Sequence, residues 1–298
     1  MAEIKLFSIS DTVKERTSSE VILEKELQNL IEQNMEIFFG VRFLKSEYQI
    51  TNGRMDSIGI DENNSPVIFE YKRSQNENVI NQGLFYLDWL LDHKADFKLL
   101  VIKKMGMEAA EKIDWSVPCV ICIAHDFTKY DIHAVNQMQR NIKLVSYRKY
   151  DKDLIMFEHL NTPTVKPISE NSVSDSEAKN NTQKSHVEKL ASAPDEMKKL
   201  YYSVCDYIES LGDDIVQNQL KLYLAYKKVQ NMACVEIYSK QIILYLKIDP
   251  ESVTLEKGFT RDMRSTGHYG TGDLQITIKN AADFEKAKPL LDRAYNEA

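Results

Sequence analysis

Two short segments carry the residues best suited to chemistry, Gly53-Arg54-Met55-Asp56 and Phe69-Glu70-Tyr71-Lys72. A single β-hairpin would bring the Asp, the Glu and the Lys together. Asn63 and Asn64 tolerate the left-handed backbone that tight hairpins need. A three-residue loop, Glu62 to Asn64, pairs Asp61 with Ser65 and Ile60 with Pro66, and counting back puts Asp56 opposite Glu70. Directly opposed residues have Cβ atoms about 5 Å apart on one face. Lys72, two residues on, shares that face. A loop one residue longer or shorter would turn Glu70 to the other side. Two carboxylates facing each other beside Ile58, Ile68 and Phe69 repel, and a divalent cation reverses the sign of that interaction. Mg²⁺ binds through one or two carboxylates, several waters and substrate phosphate. A nearby Lys helps to position or deprotonate an attacking water and stabilises charge developing on phosphorus. These are the parts of a phosphodiester hydrolase.

The elements that must position these residues follow from periodicity. Ser18 or Ser19 caps a helix running to about Phe38, with a stripe of Leu23, Leu27, Leu30, Ile31, Asn34 and Phe38. Glu26 lies between Leu23 and Leu30 on nearly that face, either at its solvent boundary or aimed at the site. Strands are expected at 41–50, 54–60, 66–72, 97–103, 117–124, 142–147 and 154–159. A helix over 76–92 opens on the capping box Ser74-Gln75-Asn76-Glu77. It places Gln82 and Tyr86, at i and i+4, on one face with Val79 and Trp89. Polar groups there need a partner, which the metal site or a phosphate would supply. Strands alternating with helices indicate an α/β domain with a mixed sheet flanked by helices.

The ordered set is a helix with an inward Glu, a strand with Asp, a hairpin, a strand with Glu-x-Lys, then a helix with Gln-x-x-x-Tyr. It resembles the PD-(D/E)XK nuclease superfamily, with its restriction-endonuclease-like αβββαβ core. The Gly-Arg-Met-Asp and Phe-Glu-Tyr-Lys wording, with Ala124-His125-Asp126-Phe127-Thr128 after a late strand, looks closest to the NucS-type domain of mismatch and branched-DNA endonucleases. The likeness spans about residues 18 to 160. It implies metal ligation by Asp56 and Glu70, catalysis by Lys72, and support from Glu26, Gln82 and Tyr86, with Mg²⁺ or Mn²⁺ as cofactor and DNA as substrate. Met55 stands where the superfamily's eponymous Pro would be. Arg54, Lys45 and Arg73 are candidate phosphate contacts.

Residues 161–193, rich in Ser, Asn, Thr and charge, are expected to form a flexible linker. Residues 194–298 regain periodicity: a helix at 194–211, antiparallel strands, and a final helix over 281–295, kinked at Pro289 if that Pro breaks it. That is a smaller α+β domain. Its loop from Gly258 to Asp273 holds four of the chain's ten glycines together with Arg261, Arg264 and His268. The loop reads either as an anion or nucleic-acid contact or as a system of structural turns. Gly267-His268-Tyr269-Gly270-Thr271-Gly272-Asp273 resembles a C-terminal family of unknown function found fused to nuclease-like domains.

The 298-residue chain is 43% hydrophobic and 28% charged, the composition of a soluble globular protein. Its net charge of −7 gives no basic footprint, so phosphate binding must rest on a local patch. No apolar run approaches the ~20 residues that span a bilayer, and no export signal is evident, so a cytoplasmic location is expected. A homodimer is the candidate assembly. Cys119 and Cys122 form a C-x-x-C within a strand-like run, where alternation would point the two thiols apart. With no second such pair they read as buried and inert. The rival to a nuclease is a non-catalytic nucleic-acid-binding module with the same fold. A third reading gives the ligand recognition to the C-terminal domain.

Overall fold

The computed structural model describes residues 4–9, 12–18, 23–72, 79–161 and 184–298. A two-stranded ribbon, β1 (Leu6–Ser8) and β2 (Lys14–Arg16), precedes the helices α1 (Glu24–Gln33) and α2 (Met35–Phe39). The strands β3 (Val41–Ile50), β4 (Gly53–Asp61) and β5 (Pro66–Lys72) follow. Next come α3 (Val79–Asp92), α4 (Lys94–Met105) and α5 (Met107–Glu111). The unit closes with β6 (Cys119–Ala124), α6 (Lys129–Gln137), β7 (Ile142–Tyr150) and β8 (Leu154–His159).

These strands form one six-stranded mixed sheet in the order β3-β4-β5-β6-β7-β8. The β3–β4–β5 meander is antiparallel, β6 and β7 join parallel to β5, and β8 returns antiparallel. Parallel central strands are covered on both faces and so read as near-continuous apolar runs. Accordingly β6 is buried along its whole length, and β5 everywhere but Lys72. One core lies under α3 and α4 and contains Ile58, Ile68, Leu87 and Val120; the other lies under α1 and α2 and contains Leu27, Ile31, Phe69 and Tyr71. Cys122 belongs to the first core and Cys119 to the second, so the two thiols diverge as strand alternation requires. Burial pushes Cys119 up to about 11 and raises Cys122 as well, which keeps both protonated and unreactive. The helix α3 runs flush against β6 at Gly83, where an added Cβ would stand 2.7 Å from Val120 Cγ1.

Two expectations fail in this unit. The segment expected as a strand at 97–103 is the helix α4, which buries Phe97, Leu100 and Val101 at helical spacing and leaves Leu99 exposed. The single helix expected over 18–38 begins at Glu24 within the described residues and is interrupted at Asn34, whose side-chain Nδ2 donates to the Leu30 carbonyl at 2.9 Å. The capping box at Ser74 lies outside the described residues, as does Arg73.

The carboxy-terminal unit opens with α7 (His186–Ser192), which occupies the end of the stretch expected as linker. A reciprocal capping box between Ser185 and Glu188 starts it. Then come α8 (Asp195–Ser210), β9 (Val216–Gln219), β10 (Leu224–Lys227), β11 (Asn231–Ile237), β12 (Ile242–Leu246), β13 (Thr260–Asp262), β14 (Leu274–Ile278) and α9 (Ala281–Glu297). The strands make an antiparallel sheet in the order β13-β14-β12-β11-β10-β9. The helices α8 and α9 cover one face through Val204, Ile208, Ala287 and Leu291. The helix α9 is one element through Pro289. Among the described residues no helix is long and apolar enough to cross a membrane.

Candidate active site

The β4–β5 hairpin has the register that its loop implies. Ile60 pairs with Pro66, Ile58 with Ile68 and Ser57 with Phe69, so Asp56 and Glu70 stand at the next step. The turn closes through Asn64 N–H to the Asp61 carbonyl at 3.0 Å, with Asn64 in the left-handed region at φ 63°. Asp61 Oδ1 accepts the N–H groups of Asn63 and Ser65 at 2.9 and 2.8 Å, which fixes the loop length.

Beyond Ser57 the two strands exchange side-chain contacts. The Asp56 N–H donates to Glu70 Oε1 at 3.2 Å, and the Tyr71 N–H donates to Asp56 Oδ2 at 3.0 Å. Glu70 is only 1% exposed. Burial and the neighbouring Asp56 charge push its carboxyl up to about 9. Burial also raises Asp56, against the opposing pull of the Tyr71 N–H and Lys72.

Below the hairpin a buried network ties β4 to α1. Gln28 Nε2 donates to the Asp56 carbonyl at 2.8 Å and to Glu32 Oε1 at 2.9 Å, while Ser57 Oγ donates to Glu32 Oε1 at 2.6 Å. Tyr71 OH donates to Ser57 Oγ at 3.2 Å. With its underside paired in this way, β4 holds Asp56 at a fixed height.

An open cleft of about 440 Å³ lies over the pair, lined by Glu24, Gln49, Gly53, Arg54, Asp56, Glu70, Lys72, Gln82 and Tyr86. The sequence-derived residues Asp56, Glu70, Lys72, Gln82, Tyr86 and Arg54 therefore do come together. The Tyr86 ring packs over Gly53, where a Cβ would approach its Cε1 to 2.8 Å, and its hydroxyl accepts the Arg54 N–H at 3.4 Å. Glu47 holds the Arg54 guanidinium at 2.6 Å.

Glu26 does not join them. It is exposed, and Glu24 takes the lining position. The buried face of α1 is Leu27, Gln28 and Ile31, whereas Leu23 and Leu30 are 52% and 37% exposed. Glu24 stands four residues before Gln28 and seven before Ile31, at the end of that face. Gln49, on β3 beside the hairpin, was not anticipated either; its position two residues before the turn into β4 was the available signal.

The other basic candidates lie elsewhere. Lys45 is exposed and its Nζ sits 5.3 Å from the Tyr48 ring centroid. Arg264 is engaged by Asp249, Glu251 and Asp262. His268 stacks on Tyr245 and faces the carbonyls of Thr266 and Gly272, and Arg261 reaches Thr266 Oγ1 at 3.5 Å. Part of the Gly-rich loop is the strand β13, and Gly270 and Gly272 take positive φ where a Cβ would strike Cys234 and Leu246. These contacts fit the reading of the loop as a system of structural turns.

The donors at Asp56 and Glu70 are all oxygen, which suits a hard divalent cation with retained waters. No cluster of three or more His, Cys, Asp or Glu side chains able to hold a metal occurs among the described residues.

The chain is 32% identical over 285 residues to an uncharacterised protein of Haemophilus influenzae, covering 92% of this chain and 93% of that one. Residues 23–113 match the family described as the endonuclease NucS C-terminal domain. Among solved structures, an EndoMS–dsDNA complex is 20% identical with a TM-score of 0.29, over 43% of this chain and 47% of that one. A repair endonuclease from Pyrococcus abyssi is 16% identical with a TM-score of 0.29, over 48% and 65%. The chain spans less than two thirds of either structure.

Proposed function

This chain belongs to the family of that Haemophilus influenzae protein, and we propose that its amino-terminal unit is a divalent-metal-dependent endonuclease acting on DNA. The observation that carries the proposal is the buried Glu70 carboxylate facing Asp56 in an open polar cleft. Like charges opposed in a buried place are unfavourable unless something compensates them. The match over residues 23–113 supports the reading, since it contains Asp56, Glu70, Lys72, Gln82 and Tyr86. The order α1, β3, β4, β5, α3, β6 supports a restriction-endonuclease-like core within this unit.

Asp56 and Glu70 would hold Mg²⁺ or Mn²⁺, which when bound supplies Lewis-acid stabilisation of phosphate charge and a more acidic water. Lys72, on the same face as Glu70, would orient the attacking water at its Nζ and stabilise the charge that develops on phosphorus. Gln82 and Tyr86, from α3, line the same cleft and would orient the scissile group, and Arg54 would contact an adjacent phosphate. With a chain charge of −7, DNA must be drawn by such local groups.

The test is cleavage of plasmid, mismatched, branched and single-stranded DNA in Mn²⁺, comparing the wild type with Glu70→Ala. Loss of cleavage in the variant is expected, and equal rates overturn the proposal. A protein that binds DNA without cutting, and shows no Asp56-dependent Mn²⁺ binding by calorimetry, would instead be the non-catalytic module.

A further inference from the structure

The hairpin that carries Asp56 and Glu70 is gripped at its other end by the carboxy-terminal unit. Asn231, at the start of β11, donates its backbone N–H to Glu62 Oε1 at 2.5 Å and its side-chain Nδ2 to Asn63 Oδ1. Tyr223 OH donates to the same Asn63 oxygen at 3.1 Å. Lys227 Nζ stands 3.4 Å from Glu62 Oε1. Asn63, Asn231 and Lys227 are all buried. Asn231 is itself held from behind, because its Nδ2 also reaches Thr271 Oγ1 at 3.0 Å in the Gly-rich loop. The two units approach closely at a second point, Gly40, where an added Cβ would lie 2.8 Å from the Val229 carbonyl oxygen.

The sequence places Asp61 to Ser65 in a hairpin turn, and a turn needs no side-chain partner from a distant domain. Here Glu62 and Asn63, the two residues at its apex, are both spoken for by one short stretch, residues 223–231. That matters for the cleft because the side-chain period of a strand is two. A one-residue slip in the β4–β5 ladder would turn Glu70 away from Asp56. Any such slip must first withdraw Glu62 and Asn63 from buried partners.

We propose that Asn231 and Lys227 are positioning residues that, through Glu62 and Asn63, lock the hairpin register on which the Asp56–Glu70 pair depends. The role at the cleft rests on the metal-site reading above, whereas the lock itself does not. The carboxy-terminal unit is then a structural governor of the amino-terminal site, and its Gly-rich loop acts by bracing Asn231.

The experiment uses the full chain. Hydrogen–deuterium exchange of the β4 and β5 amides is measured for wild type, Asn231→Ala, Lys227→Met and the conservative Lys227→Arg, with Lys286→Ala as a surface control. Mn²⁺ titration calorimetry accompanies each. Asn231→Ala and Lys227→Met are expected to speed exchange at Ser57–Ile60 and Val67–Phe69 about tenfold and to weaken Mn²⁺ binding by a similar factor, while β11 and β12 amides stay protected. Lys227→Arg and Lys286→Ala should match the wild type. Unchanged hairpin exchange in variants whose β11 and β12 remain protected overturns the proposal. If Asn231→Ala unfolds the carboxy-terminal unit, Asn63→Ala makes the same test from the hairpin side. A wild type that binds no Mn²⁺ defeats the metal reading alone, because the exchange result still decides the lock.

Discussion

The two ends of the β4–β5 hairpin each hold a pair of acidic residues, and they are treated in opposite ways. At the tip, Asp61 accepts two backbone N–H groups and Glu62 meets Lys227 and the Asn231 N–H. Burial raises both carboxyls, and Lys227 pulls both back. At the open end burial raises both carboxyls, the Asp56 charge raises Glu70 further, and Glu47 adds to the rise at Asp56. The tip is a finished structure, compensated from within the chain. At the open end a backbone N–H reaches each carboxyl, and Lys72 and Arg54 pull Asp56 down, while Lys72 pulls Glu70 down against burial. The contrast teaches where to expect a ligand: acidic burial is common to both ends, and only the open end sets its carboxyls facing each other in an open cleft.

The sharpest way to break this contrast is Asp56→Ala. Cleavage in Mn²⁺ should fall by at least ~10³-fold, since the several kcal/mol of charge stabilisation assigned to a metal centre correspond to that factor. A loss below tenfold in single-turnover cleavage would mean that the open end is no more a reaction centre than the tip.

Next in size is Glu62→Ala at the tip, which strands Lys227 in a buried place. Breaking such a pair costs about 3 kcal/mol, read as a drop in the urea midpoint at constant slope. Substituting both partners, Glu62→Gln with Lys227→Met, should cost clearly less. If the single and double variants are equally unstable, the tip is not held by charge.

A further effect follows from pH. Glu70 carries its proton more tightly folded, at about 9, than at its ordinary 4.5. The folded state therefore binds more protons between those values. Metal-free stability is fully present below about 4.5 and declines as pH rises toward 9. Glu70→Gln should flatten that decline in denaturation curves taken from pH 5 to 9. Mn²⁺ affinity should move oppositely and strengthen with pH, because the cation displaces the proton. A wild-type profile as flat as the variant's would show that folding does not raise the Glu70 carboxyl.

The smallest change expected is in Arg54→Ala. Loss of one phosphate contact should lower the salt slope of DNA binding by about one and affinity a few fold, with cleavage of bound DNA retained.

The open end was legible in the sequence and the tip's role was not, for a physical reason. Asn63, Asn64 and the alternation about them fix a local register, and the chemistry of Asp56, Glu70 and Lys72 follows from counting. Asn231 lies 168 residues from Asn63, and no local pattern announces that an Asn at a strand start will meet a distant turn. Elsewhere local patterns misled. The run from Phe97 to Lys103 is apolar enough to read as a buried strand, and periodicity alone cannot separate that from a short buried helix. No side-chain cap marks the start of α4. The apolar stripe through Leu23 and Leu30 points to Glu26, while the true face carries the polar Gln28, engaged beneath Asp56.

Gly83 gives the cleft a property that none of its lining residues controls. The residue has no side chain to contribute, yet it sits between Gln82 and Tyr86 on α3 and seats the helix against Val120. A mid-helix Gly costs roughly 1 kcal/mol relative to Ala, so this seat is held at the expense of helix stability. The width of the cleft is thus written in the floor of the sheet. A methyl group at position 83 would lift one wall away from Asp56 and Glu70, and a smaller residue at position 120 would lower it. The gap over the carboxylate pair can therefore be retuned through the hydrophobic core, with every polar group of the cleft left in place.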